Sequence, residues 1–173
     1  METGKKYLKE IVYGSIDGII TTFAIVSGVL GASLSSGIII ILGLANLFAD
    51  GMSMAISNYL SVKSDIEKNE KTVNNFLDPK RTALATFLAF VIFGFFPLLS
   101  FILSSTIGWF NNFEFQFSII LTAIALFSVG MTKAKIVHQK GKGIFRSGVE
   151  TLLIGSLAAT VAFTVGFLLK NLV

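Results

Sequence analysis

The sequence predicts an all-α, polytopic membrane protein with five transmembrane helices, and three observations carry that prediction. Only 14 % of the 173 residues are charged and 53 % are hydrophobic, with a mean hydropathy of +0.79. A soluble domain carries about 25 % charge. Five apolar stretches each reach the roughly 20 residues that a bilayer-spanning helix needs. The basic residues, finally, cluster in alternate connections between those stretches. Backbone groups in hydrocarbon must be paired within their own segment, which makes such stretches helices. A membrane barrel would instead show alternating segments of about ten residues.

The first span is expected over residues 11–34, behind Lys5, Lys6 and Lys9. Those lysines resemble the charged start of a signal peptide. The apolar run that follows carries Asp17 and is too long for a signal core, so it reads as a true span. The second span is expected over 37–62, the third over 82–106 with a kink from Pro97, the fourth over 113–132 and the fifth over 147–169. Gly28, Gly31, Gly43, Gly130 and Gly155 are placed to let helices approach closely. Short connections and the absence of a linker make residues 1–173 one domain. No internal repeat is visible, and an odd number of spans argues against a simple two-half transporter.

Charge gives the orientation. Thirteen basic residues precede the first span or lie in the second and fourth connections, and Lys170 stands alone on the other side. The positive-inside rule places the N-terminus in the cytosol and the C-terminus outside or in a lumen. Trp109, Phe110, Phe113, Phe115 and Phe117 suit the outer interface. The net charge of +4 is thereby a topology signal, and no nucleic-acid partner is expected.

Composition also excludes chemistry. With no Cys, thiolate metal sites, iron–sulfur clusters and Cys nucleophiles are impossible. His138 is the one histidine and falls in a basic connection, which leaves no hydrolase constellation inside the membrane and predicts no enzyme. Gly141-Lys142-Gly143 lacks the spacing and the preceding strand of a phosphate loop and reads as a turn.

The first two spans differ from the rest. Glu10, Gly14, Asp17, Thr21, Ala24 and Gly28 recur at spacings of three or four, as do Asn46, Asp50, Ser53, Met54, Ser57 and Ser61. Each set is one face of a helix, and two such stripes on neighbouring helices could line a wet path. An ionisable residue in the bilayer costs at least ~2.5 kcal/mol on insertion scales, which makes Asp17 and Asp50 the most informative positions. The plain alternative is a protonated or hydrogen-bonded carboxyl that serves packing. Glu10 lies near the interface and is either solvated or part of the path. Counted from the charged ends of the spans, Asp17 and Met54 lie roughly 9 and 12 Å deep, with Asp50 one turn further out. A hard carboxylate with a soft thioether suits a borderline ion such as Fe²⁺ and suits Mg²⁺ or Ca²⁺ poorly. Low dielectric favours a neutral carboxyl, so such a group can take a proton when metal departs. Met54 as a gap filler is the plain alternative there, and Met52 and Met131 read as packing.

These residues resemble a known family. Tyr13-Gly14-Ser15-Ile16-Asp17-Gly18-Ile19-Ile20-Thr21-Thr22-Phe23-Ala24 is similar to the DG-x-x-T-x-F-A signature of the vacuolar iron transporter family. Leu44-Ala45-Asn46-Leu47-Phe48-Ala49-Asp50-Gly51-Met52-Ser53-Met54, followed by Asn58-Tyr59-Leu60-Ser61, is similar to its L-A-N-x-x-A-D-G-x-S-M pattern. Arg146-Ser147-Gly148-Val149-Glu150 leading into Leu153-Ile154-Gly155 resembles its last span. The resemblance covers nearly the whole chain. It implies a homodimer that exports Fe²⁺, often with Mn²⁺, from the cytosol in exchange for protons, with the metal path at the dimer interface and no tightly bound cofactor. By motif position it makes Asp17 the intramembrane carboxylate, Met54 the intramembrane methionine and Glu10 an acid at the cytosolic entrance. The membrane is then vacuolar in a eukaryote and the plasma membrane in a prokaryote.

The chain departs from that pattern at Lys6, where many members carry an acid, and in its second connection. Many iron-transporting members have a long Glu-rich domain there. Here residues 63–81 hold Asp65, Glu67, Glu70 and Asp78 with five basic residues, and Glu67 with Lys71 has the spacing of a helix extension. Glu67, Glu70 and Glu150 are the weaker cytosolic candidates, Glu150 being expected to pair with a basic residue such as Lys133. Two other readings stand beside metal–proton exchange: a non-transporting membrane assembly subunit, and a passive cation channel.

Overall fold

The computed structural model describes residues 7–68, 78–106, 113–137 and 141–172. They form α1 (Leu8–Gly31), α2 (Ser36–Lys68), α3 (Pro79–Gly94), α4 (Phe96–Thr106), α5 (Glu114–Ile136) and α6 (Lys142–Leu169), followed by a 3₁₀ turn at Lys170–Leu172. The all-α class is as the sequence predicts. α1, α2, α5 and α6 are each long and apolar enough to cross a membrane, and α3 with α4 is a fifth crossing if that bent pair is one span. The chain is an integral membrane protein.

The helices overrun the expected spans at their charged ends. α2 continues to Lys68, supported by the Lys63–Glu67 pair at 3.8 Å on one face. α3 begins at Pro79 because the Asp78 carboxylate accepts hydrogen bonds from the backbone N–H groups of Lys80 (2.9 Å) and Arg81 (3.3 Å). Lys5, Lys6, Glu70, Lys71, Trp109, Phe110 and His138 lie outside the described residues.

The third span is broken rather than merely kinked. α3 ends at Gly94, α4 starts at Phe96, and the two axes differ by 44°. Pro97 has no N–H and its ring crowds the preceding turn. Phe95 N–H still donates to Val91 O, but the N–H groups of Leu98 and Leu99 both turn to Phe95 O. The carbonyl of Pro97 accepts a bond of 2.8 Å from the Ser118 hydroxyl on α5, which ties the bend to that helix.

α1 is the centre of the bundle and packs against all the other helices. Half of its most apolar stretch is buried, against 11 % for α6, which faces outward. Contacts between helices run through small residues, as they do where no hydrophobic effect drives association. A Cβ on Gly31, Gly43, Gly130 or Gly155 would come within 2.6 Å of a neighbouring helix, while Gly28 makes ordinary contact with Ala162. Toward the α1–α2 turn Val26, Val29, Ile39, Leu98 and Phe101 form one apolar cluster from α1, α2 and α4, with the hydroxyls of Ser27, Ser100 and Ser104 buried in the same half.

At the opposite, basic end the core turns polar. Asn58 of α2 donates to the Thr86 hydroxyl of α3 at 2.6 Å, and Thr86 donates onward to Thr82 O at 3.0 Å. Such interhelical bonds average ~0.6 kcal/mol and reach ~1.7 in a membrane protein. Asn58→Leu is expected to lower stability within that range, read as an earlier thermal unfolding of the detergent-solubilised protein. A variant as stable as the parent would show that the bond holds nothing.

Candidate functional site

The turn between α1 and α2 sets the geometry of the site. Only Ala32–Ser35 separates the two helices, with Ser33 at φ 59°. Asp17 stands fourteen residues before the end of α1, and Asp50 fourteen residues after the start of α2. Antiparallel helices that leave a common turn reach equal depth after equal length, here ~21 Å at 1.5 Å per residue. The two carboxyls accordingly lie within range to repel each other when ionised. The same counting sets Thr21 level with Asn46, one turn nearer the α1–α2 turn, and Glu10 level with Ser57, nearer the basic end. The stripes thus stack as rungs.

Met54 sits one helical turn from Asp50 toward the basic end, as the sequence reading has it, but counting from the turn sets Asp50 rather than Met54 level with Asp17. The sequence reading counts from the charged ends. Those ends are poor markers here, because α2 continues to Lys68.

Asp17, Asp50, Met54, Asn46 and Thr21 are half-buried, and Ser57 is exposed. The Thr21 hydroxyl donates to Asp17 O at 2.9 Å, so its hydrogen is already used by the helix. Glu10 is only 9 % exposed, and its Oε2 has no hydrogen-bond partner among the described residues. A buried carboxylate oxygen without a donor is costly unless water or a cation reaches it. Asp17 also lines a cavity of about 370 Å³ between α1 and α5, with Lys9, Tyr13 and Ile16 on one wall and Lys133 and Ile136 on the other. Apart from Asp17 and the two lysines its walls are mostly aliphatic.

The weaker candidates stand apart. Glu67 is exposed and paired with Lys63. Glu150 is exposed and lines a pocket of about 320 Å³ with Lys133, Arg146 and Ser147. Among the described residues the salt bridges are those of Lys63 and Arg81, so the expected Glu150–Lys133 pair is not formed. No group of three His, Cys, Asp or Glu gathers among the described residues as a ready metal centre. Sequence reasoning gave no role to Lys133 in the Asp17 cavity or to the Asn58–Thr86 bond. Neither follows from periodicity, since both join helices distant in sequence.

The motifs of the first two spans thus bring two acids and a methionine onto neighbouring helices. The model of the VIT family matches residues 8–78 and 68–167. The chain belongs to the VIT family. The vacuolar iron transporter of Plasmodium berghei (strain Anka) is 28 % identical over 231 positions, covering 96 % of this chain and 84 % of its own. That of Toxoplasma gondii (strain ATCC 50861 / VEG) is 27 % identical, covering 99 % and 77 %. Vacuolar iron transporter homolog 2 of Oryza sativa subsp. japonica is 27 % identical over 175 positions, covering 92 % and 89 %. The first two alignments are longer than this chain of 173 residues, so those relatives carry an insert that this VIT-family chain lacks. The two matched stretches overlap at residues 68–78, between α2 and α3, where the short connection lies. These relatives are transporters by name, not enzymes.

Proposed function

We propose that this VIT-family chain exports Fe²⁺, and Mn²⁺ with it, from the cytosol in exchange for protons, along a path shared by two copies. The observation that carries the reading is the Asp17–Asp50 rung: two like charges set at one depth call for a cation or a proton between them. Met54 offers sulfur one turn away, which favours a borderline ion over Mg²⁺ or Ca²⁺. Glu10 stands nearer the basic end with an unmatched oxygen, Thr21, Asn46 and Ser57 line the same ladder, and Glu67, Glu70 and Glu150 serve at most as outlying acids. Iron is the cargo in the names of the relatives.

Two copies are proposed because the ladder is incomplete within one. A rung of two carboxylates falls short of the ligand set that a transition-metal ion takes up. The polar stripe of α2 also turns away from its own bundle, with Ser53, Ser57 and Ser61 all exposed. Hydroxyls in hydrocarbon need a polar cover, and the same stripe of a second chain provides one. The basic end is cytosolic in this reading. The membrane is vacuolar in a eukaryote and the plasma membrane in a prokaryote. The apolar cluster of Val26, Val29, Ile39, Leu98 and Phe101 fills the space between α1, α2 and α4 beyond the rung, which favours exchange over an open cation channel.

The test is Fe²⁺ uptake into proteoliposomes under an imposed pH gradient. Met54→Ala should lower Fe²⁺ flux about tenfold, the effect of ~1.4 kcal/mol, and spare Mn²⁺, which depends less on sulfur. A parent protein that moves no metal, in either gradient direction, would leave the assembly-subunit reading in its place.

A further inference from the structure

The far end of the bundle carries a second polar feature that the metal ladder does not use. Ser36, the first residue of α2, donates its hydroxyl hydrogen to Oε1 of Glu114 in the first turn of α5, across 78 positions of sequence. Both side chains are half-buried. Glu114 is the one acid in the far-side segments, 30–49 and 100–132. A carboxylate is favoured at that helix start by the backbone dipole. Residues 20–31 of α1, 36–49 of α2 and all of α4 hold no other titratable group. α6 presents Lys170 at its far end, stacked 4.2 Å over the Phe167 ring.

The position of this bond matters more than its strength. α2 carries Asp50 and Met54 and is tied to other helices by side-chain hydrogen bonds on both sides of them: Asn58 to Thr86 on α3 toward the basic end, and Ser36 to Glu114 on α5 at the far end. Between the rung and the far end lies the apolar seal, built from Val26 and Val29 of α1, Ile39 of α2, and Leu98 and Phe101 of α4, with Phe115 of α5 packed against it. Ile39 lies one turn from Ser36, and Phe115 adjoins Glu114. The hydrogen bond therefore clasps the two walls of the seal. The cytosol-proximal half holds the polar rungs and the cavity beside Asp17, whereas in the far half the apolar cluster and the clasp join α1, α2, α4 and α5, with a separate cavity of about 300 Å³ against α1, α5 and α6, lined by Phe23, Ser27, Phe115 and Phe163.

We propose that the Ser36–Glu114 hydrogen bond is the far-side closure of the transport path, and that a proton taken up by Glu114 from the far side releases it. This rests on the exchange reading above. A hydrogen bond to an ionised carboxylate is about twice as strong as one between neutral groups. Protonation of Glu114 thus weakens the clasp, and it does so on the side where protons wait and metal leaves. The proton that opens the seal then has the same route to the Asp17–Asp50 rung that the departing ion uses. Glu114 acts here as a positioning residue and is not a metal ligand.

The chain contains no cysteine, so thiols introduced at two sites are the only ones present. The experiment uses the full protein with Ser36→Cys and Glu114→Cys, joined by a short bifunctional thiosulfonate that reductant cleaves, in proteoliposomes loaded with a metal-sensing dye. Bridged protein should bind Fe²⁺ as the unbridged protein does in anaerobic calorimetry, yet pass it at least about tenfold more slowly. Reductant should restore the flux. In parallel, Glu114→Gln keeps an acceptor for Ser36 but cannot be ionised or take up a proton. Acidifying the far side should then accelerate Fe²⁺ flux in the parent several-fold more than in this variant. Full flux through the bridged protein, or an unchanged acid response in Glu114→Gln, would overturn the clasp while leaving exchange intact. Loss of Fe²⁺ flux in the unbridged parent would instead overturn the exchange reading, and the clasp with it.

Discussion

Asp17→Ala is expected to lower Fe²⁺ flux by at least about a hundredfold, a loss of ~2.8 kcal/mol in the most costly step. The reason is the rung itself. With both carboxyls ionised and empty, Asp17 and Asp50 repel each other in a half-buried setting. A divalent ion relieves that repulsion on arrival, and a proton relieves it when the ion leaves. Alanine removes one of the two charges, and the remaining acid has neither the repulsion to drive capture nor the partner to complete it. Asp17→Asn separates the two roles: it keeps the shape and one carbonyl oxygen as a metal ligand but cannot carry a proton. Its residual flux should no longer respond to the pH gradient. Both are read in proteoliposomes with Fe²⁺ outside and the gradient varied. Gradient-dependent exchange that survives in Asp17→Asn would remove Asp17 from the proton route.

Most of the fold was legible because hydropathy fixes helices over long stretches, and the bilayer leaves the backbone few alternatives. All five glycines picked from the sequence fall at helix contacts. The break at Phe95 was legible only as a kink, since Pro97 announces a lost N–H but not that Ser118 and the Gly94–Gly18 contact stabilise the bent form. The stripes of the site were legible as faces, because a period of three or four residues needs no partner to be seen. Their relative height was not. It is set by the short turn at Ala32–Ser35, and the reading from the charged ends placed Met54 where Asp50 stands. The Ser36–Glu114 and Asn58–Thr86 bonds link residues 78 and 28 positions apart, and no local pattern announces such pairs.

Gly18 is where packing and site meet, and its substitution should have the largest structural effect. A Cβ there would lie 2.4 Å from Phe90 O and 3.1 Å from Phe90 Cα, both backbone atoms of α3 that no rotamer change can move. Gly94 faces it from the break in the third span, where a Cβ would lie 2.7 Å from Gly18 O. Overpacking of this kind typically costs 1–3 kcal/mol, and Gly18→Ala is expected near ~3 because the obstacle is main chain. Gly37 gives the control. Only the Ser35 hydroxyl lies within 4.0 Å of its added Cβ, and Gly37→Ala should gain up to ~1 kcal/mol from helix propensity. Thermal unfolding of the two variants in detergent should therefore move in opposite directions. Gly18 also adjoins Asp17, so pushing α1 from α3 displaces the carboxyl from the rung it shares with Asp50. Gly18→Ala protein that stays folded at low temperature should lose Fe²⁺ flux well before it unfolds, and Gly94→Ala added to it should cost less than its separate effect, because the helices have already parted. Independent costs for the two, with flux intact, would mean that α1 and α3 do not meet through this pair of glycines and that the depth of Asp17 is set elsewhere.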